Sequence, residues 1–272
     1  MKKIFLLGAA LLTMTFAYAQ DNEAYVEQDG TNQTATVTQT GALNLAEVLQ
    51  FGEDNEATID QVGDFNYAGI GQDGVGNTSV INQGTLFGGS EENGALNIQI
   101  GDGNSSEIWQ EGFGNAAIVQ QYGNENQAQV YQTLGIQGLN IALVYQEGDG
   151  NYAGIAQEDY FNGASITQVG NGNTGKVWQT YFFADVIDNI GIIDQLGNDN
   201  YAEIDQTDAY SNDAVITQTG DGNWAGIYQN FAEGNFAGIE QTGEGHIGTI
   251  VQFGTGNTAT IVQSNGMGGG TE

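Results

Sequence analysis

The stretches GDGNWAGIYQ (residues 220–229) and GDGNYAGIAQ (residues 148–157) are nearly the same ten residues. Each opens like a phosphate-binding loop. Such a loop, however, needs a helix N-terminus behind its glycines, and here a short β-prone run follows instead. Glycine permits positive φ, and Asp and Asn tolerate turn geometry. The stretch therefore reads as a tight turn feeding a strand, and its recurrence asks for a period.

Glutamine supplies the period. Gln28, Gln39, Gln50, Gln61, Gln72 and Gln83 are eleven apart, and the series continues at Gln99, Gln110, Gln121, Gln132, Gln146, Gln157, Gln168, Gln179, Gln195, Gln206, Gln218, Gln229, Gln241, Gln252 and Gln263. Of the 20 spacings among these 21 units, 15 are eleven. Six residues before the glutamine stands Asn in 19 units, among them Asn22, Asn44, Asn55, Asn66, Asn77, Asn104, Asn151, Asn173, Asn200, Asn223 and Asn257; Gln33 and His246 are the exceptions. Four before it lies Ala, Ser or Gly, and two before it Ile or Val in every unit but that of Asn97. The unit N-x-A-x-I/V-x-Q has period two, so each unit is a strand with these four residues on one face.

Glycine doubles the period. Two residues after the glutamine, odd-numbered units carry Gly30, Gly52, Gly74, Gly101, Gly123, Gly148, Gly170, Gly197, Gly220 and Gly243, ten of eleven cases, whereas even-numbered units carry Gly in four of ten. All irregular spacings follow even units. The repeat is therefore about 22 residues, strand–turn–strand–turn, with one turn of fixed length. The other admits insertions such as 84–92 and 180–188. Variable loops on one side of a stacked coil are what a solenoid predicts.

The expected fold is all-β: a β-solenoid of about ten coils with cross-β stacking, about 4.8 Å per coil and on the order of 50 Å long. Its interior would be Ala and Ile/Val flanked by Asn and Gln. A buried amide is costly unless its donor and acceptor are both used, and stacking identical amides in register uses both. A glutamate in that column would stack buried like charges. Polar caps at terminal repeats are not evident, so the terminal strands are expected to offer unpaired backbone groups for end-to-end growth.

Lys2 and Lys3, then IFLLGAALLTMTFAYA, read as a secretory signal peptide over residues 1–19, ending small-x-small at Ala17-Tyr18-Ala19. The solenoid then occupies 20–265, and 266–272 is a flexible glycine-rich tail. No later run has the roughly 20 apolar residues a spanning helix needs, so the chain is not expected to span a membrane. Past the signal, 34 acids face Lys176 alone, which argues against a nucleic-acid partner. There is no cysteine, so no disulfide holds the fold.

The pattern Asn-x5-Gln-x-Gly-x-Gly-Asn-x-Ala-x3-Gln, carried by NYAGIGQDGVGNTSVINQ at 66–83 with Ser79 in place of Ala, resembles the curlin repeat of the curli major subunit. The resemblance covers about residues 22–263. The family usually has serine where this chain has asparagine at the start of the odd strand, and this chain has more repeats and unusual insertions. The resemblance implies a functional amyloid, exported across the outer membrane of a Gram-negative bacterium and assembled at its surface into biofilm fibres for adhesion. It also implies homopolymerisation, a nucleator subunit and an outer-membrane secretion apparatus as partners.

Other readings are weaker. His246 is the sole histidine and has no catalytic partners, so no catalytic residue is assigned and no enzyme is expected. Acidic turns such as 52–55, 101–104 and 196–200 offer oxygen ligands for calcium, yet fit neither the nonapeptide roll nor the EF-hand loop. No metal or cofactor site is assigned. Outward aromatics (Tyr67, Trp109, Tyr131, Tyr145, Tyr152, Trp178, Tyr201, Trp224, Tyr228, Phe236) read as cross-strand pairs or as a binding stripe. That stripe supports the alternative of a non-polymerising surface adhesin. Leu96, Ile98 and Ile100 alternate with Asn97, which raises a local register slip.

Overall fold

The computed structural model describes residues 22–84, 90–133, 139–180 and 187–265. They form an all-β solenoid with no helix among the described residues. Eleven odd-unit strands, from Glu23–Thr31 to Thr258–Ser264, stack as one parallel sheet; ten even-unit strands, from Thr34–Thr40 to Ile247–Thr255, stack as the other. Successive coils pair like with like: Ala24 opposes Ala46, Val26 opposes Val48, Gln28 opposes Gln50. A slip of one residue would turn every amide outward, so register is fixed by the pattern itself.

The core is thin. Ala and Ile/Val of the two sheets meet along the axis, and Ile59, Ile108, Ile166 and Ile216 have no exposure. Flat alanine on one side and branched Ile/Val on the other fill the interlayer space. The insertions do not disturb this: across the longer segment from Gln83 to Asn93, Ile70 still opposes Asn97 and Gln72 still opposes Gln99. The described part of that insertion, Ser90–Glu91, pairs with Gly63–Asp64 at the turn edge. The remainder of the insertions at 84–92 and 180–188, the segment 1–19 read above as a signal peptide and the segment 266–272 read as a tail lie mostly or wholly outside the described residues.

The expected slip at Asn97 does not occur. Asn97 points inward, fully buried, and donates to Ser79 Oγ, while Leu96 and Ile98 stay on the outer face. Gln99, two residues on, is held in register by bonds to the coils before and after it, and this outweighs the poor fit of one amide. The misfit is absorbed locally, since Asn97 Oδ1 has no partner.

The odd-turn glycines have a cause beyond positive φ. Each stands at φ between +107° and +141°, outside the left-handed well that other residues tolerate. A Cβ on Gly148 would also lie 2.1 Å from the carbonyl oxygen of Gly170 in the next coil. The even turn takes Asp159, Asp208 and Phe231 at φ of 67°, 50° and 50°, ordinary left-handed values. Where the even turn lengthens it does without glycine at that position, whereas most even turns of regular length keep it, as at Gly41 and Gly63 with φ of 112° and 116°.

Two substitutions separate these causes. Gly150 has φ +65° and open space around its missing Cβ, so Gly150→Ala is expected to cost about 1 kcal/mol. Gly148→Ala meets both the φ penalty and the clash, and is expected to cost more than about 3 kcal/mol. Denaturant midpoints of the two variants test the ordering.

Candidate functional site: amide ladders and open edges

The site is a column rather than a pocket. In the odd sheet Gln28 Nε2 donates to Gln50 Oε1, and the chain of donation runs unbroken to Gln263 with every link 2.7–2.9 Å. The even sheet does the same from Gln39 to Gln252 at 2.9–3.0 Å. The second N–H is also used: Gln146 donates to Gln127 O at 3.1 Å, across the coil, and from Gln39 to Gln263 such bonds tie the two sheets together. All 21 glutamines of the sequence period stand in these two columns.

The asparagines form a second pair of columns with the opposite sense. Asn44 Nδ2 donates back to Asn22 Oδ1, Asn66 to Asn44, Asn77 to Asn55, Asn104 to Asn77, and so on through Asn151, Asn173, Asn200 and Asn223. The other N–H of Asn151 reaches Gly170 O at 2.7 Å, and that of Asn200 reaches Gly220 O. Asparagine thus holds the very carbonyl that forbids a Cβ on the preceding turn glycine. Gln33 reaches the equivalent carbonyl of Gly52 with its longer side chain. His246 keeps only the backbone link, to Asn223 Oδ1, and its ring meets Thr242 O. Asn257, just before the last odd strand, donates from its backbone N–H to Asn235 Oδ1.

A third column lies at the turn and was not anticipated. Asp102 Oδ1 accepts from Val75 N, Asn124 Oδ1 from Asp102 N, Asp149 Oδ1 from Asn124 N, Asn171 Oδ1 from Asp149 N, Asn198 Oδ1 from Asn171 N, and Asp221 Oδ1 from Asn198 N. Asp102 of the turn 101–104 is therefore a structural acceptor, as are Asp149 and Asp221, while in the turn 196–200 the acceptor is Asn198. Among the described residues no group of three or more His, Asp or Glu side chains is placed to hold a metal ion. The signal was present, as Asp or Asn three residues after odd glutamines, but turn propensity alone accounts for those residue types.

The outer faces differ. The even face carries Trp109, Tyr131, Tyr152, Trp178, Tyr201, Trp224 and Tyr228; the odd face carries Tyr67, Tyr145 and Phe236. Tyr201 and Trp224, on adjacent strands, lie 5.9 Å apart and parallel to within 1°. Lys176 Nζ stands 5.4 Å from the Tyr201 ring and 6.0 Å from that of Tyr152. Rings lie across the glycine gaps: a Cβ on Gly226 would be 3.0 Å from both Trp224 and Tyr228. Burial and the Glu107 carboxylate push Tyr131 up to about 12, and burial with Glu203 does the same to Tyr201. These phenols stay protonated as donors to carboxylates at neutral pH. Burial also raises Glu47 and Asp205 above the usual carboxylate range, against the Thr207 hydroxyl bond at Asp205.

The ends differ from the middle. Val26 in the first strand is 45% exposed, whereas Val48, its neighbour in the next coil, is 0% exposed. At the other end Ala259 and Ile261 are only partly buried. The interior amide columns thus run out to both terminal coils uncovered among the described residues.

One family model matches the chain, the curlin associated repeat, over residues 19–52, 52–84, 101–133, 162–207 and 211–243. No curated protein matches it.

The ladder predicts a pH signature. Gln146→Glu in mid-column removes the bonds donated to Gln168 and Gln127 and buries a carboxylate. It is expected to cost about 3–5 kcal/mol at pH 7. The buried acid's pKa is raised, so this loss is present above it and shrinks as pH falls and the acid protonates. Urea unfolding at pH 7 and pH 4 measures the difference.

Proposed function

The chain belongs to the curlin-repeat family, and we propose that it is the repeating subunit of an extracellular amyloid fibre that grows end to end. The family and the solenoid are those of a structural protein, and no catalytic role is proposed. The observation that carries the reading is the complementary polarity of the two open edges. At the first coil, Gln28 and Gln39 turn carbonyl oxygens outward along the axis, because both columns donate toward higher residue numbers. At the last coil, Gln252 and Gln263 have no further ladder glutamine among the described residues to receive their N–H. The last coil of one copy therefore matches the first coil of the next. A head-to-tail contact between unlike surfaces does not close and propagates as a filament.

Secretion and matrix roles follow as parts of the same proposal. Residues 1–19 act as the cleaved signal, an outer-membrane apparatus exports the chain, a nucleator subunit starts the fibre, and the fibre serves surface adhesion in a biofilm. A second reading, a discrete adhesive rod, draws on the even face, where Lys176 and the parallel Tyr201–Trp224 pair form a ring-lined surface. It requires ligand binding before any filament appears.

The test is the mature chain, residues 20–272, freed of denaturant. Unbranched, thioflavin-positive fibres with reflections near 4.7 Å and 10 Å are expected. Because 34 acids oppose one base past the signal, growth is expected to accelerate toward pH 4 and with salt. Glu47 and Asp205, raised by burial, neutralise early on that path and favour the fold at low pH rather than opposing it. A chain that stays monomeric and thioflavin-negative for days, or grows faster at pH 8 in low salt, contradicts the proposal.

A further inference from the structure

The acids of this chain are unevenly placed. Most sit at the turns, on the corners of the rod, where Asp102, Asp149 and Asp221 belong to the turn column. The two flat faces are left to the outward residues of the strands. On the even face these include Glu107, Lys176, Glu203 and Asp205, so that face is charged. On the odd face the three central outward columns carry no charged residue from Tyr67 to Thr167, a run of five successive strands, and the next strand adds Ile190 and Ile192 before Asp194 ends the neutral patch. Five of its members form an aliphatic block in register: Ile118 opposes Leu96 and Leu143, while Ile141 and Ile190 flank Gly163. Ile118, Ile141, Leu143 and Ile190 are 38%, 53%, 41% and 43% exposed. Glu147, at the margin, has its carboxylate taken by the Tyr145 hydroxyl at 2.8 Å.

In a chain of net charge −31, a charge-free aliphatic sheet face of this extent calls for a partner. A second copy of the same face fits best. Approach of two even faces or two corners sets acid against acid, whereas this one meets neutral surface on neutral surface. Aligned sheets pack at about 10 Å with interdigitating side chains. Size decides when the contact forms. Five strands at about 4.8 Å, each contributing about 17 Å of length, give on the order of 400 Å² per rod. A stable interface needs about 800 Å² per partner, so two isolated rods fall short. In a filament the patch recurs with every subunit, and multivalency turns a weak contact into a firm one.

We infer that the odd sheet's outer face, centred on Ile118 and Leu143, bundles filaments laterally, face against like face, and that it acts only once the chain has polymerised. The inference rests on the end-to-end filament proposed above. The single rod is too small a partner and the charged even face too repulsive, so polymerisation and bundling are separable steps.

The test compares three proteins at moderate salt by negative-stain microscopy and low-speed sedimentation, with thioflavin kinetics alongside. The wild type is expected to form bundles that pellet. Ile118→Asp with Leu143→Asp is expected to give single filaments that stay in the supernatant. Its milder, strand-compatible counterpart, Ile118→Thr with Leu143→Thr, is expected to lower the pelleted fraction several-fold while its growth kinetics match the wild type. A control with the same added charge on the even face, Gln129→Asp with Thr249→Asp, is expected to keep the bundles. Wild-type filaments that never bundle, face variants that bundle like the wild type, or a control that unbundles as fully as the odd-face variant each overturn this inference while leaving the filament standing. A wild type that forms no filament overturns the proposed function and this inference together.

Discussion

A side-chain amide buried between two sheets must find a donor for its oxygen and acceptors for its nitrogen without water. One arrangement supplies both at every level: identical glutamines one strand apart, each giving one N–H to the next and one to the backbone across the coil. Everything else in the molecule answers to that spacing. The strand period must place glutamine inward every time, the turns must return the chain by one strand, and the insertions must leave the columns untouched. A single net hydrogen bond contributes about 1 kcal/mol, but leaving a buried group unmet costs about 1–3 kcal/mol. The ladder therefore acts chiefly as a constraint on register: any misalignment leaves buried amides unsatisfied on both sides.

The constraint also gives the rod a direction. Glutamine columns donate toward the last coil and asparagine columns toward the first. The two ends consequently present different groups to a neighbour. The turn column of Asp and Asn repeats the same device on the outside, at the corner, where a carboxylate accepts a backbone N–H from the coil before it. Many of the acids stand at the corners, and the middle of the odd face, from Tyr67 to Thr167, is left without charge in its central outward columns.

Much of this was legible in the sequence because the physics repeats. Gln every eleven residues, with Ala and Ile/Val between, has a single consistent reading as inward strand positions, and the glycine asymmetry marked one turn as fixed. The structure places the two sheets and the 21 ladder strands accordingly. What escaped were contacts between coils that composition does not encode. The glycine requirement looked like a matter of φ, yet the carbonyl of the next coil 2.1 Å away is an equal part of it at Gly148. Asp102 looked like an oxygen ligand for a cation, yet its partner, the Val75 N–H, lies one coil away. Asn97 suggested a slip because local alternation favoured Leu96 and Ile98; the pull of Gln99 on its neighbours in the column is non-local and invisible in a window of seven residues.

Hydrogen exchange of the glutamine side-chain amides, read by NMR on the freshly folded chain before filaments form, tests the ladder most directly. Mid-column groups such as Gln121, Gln146 and Gln168 are predicted to exchange orders of magnitude more slowly than those of Gln263 at the open end. Uniformly fast exchange along the column would contradict a structure built on stacked amides.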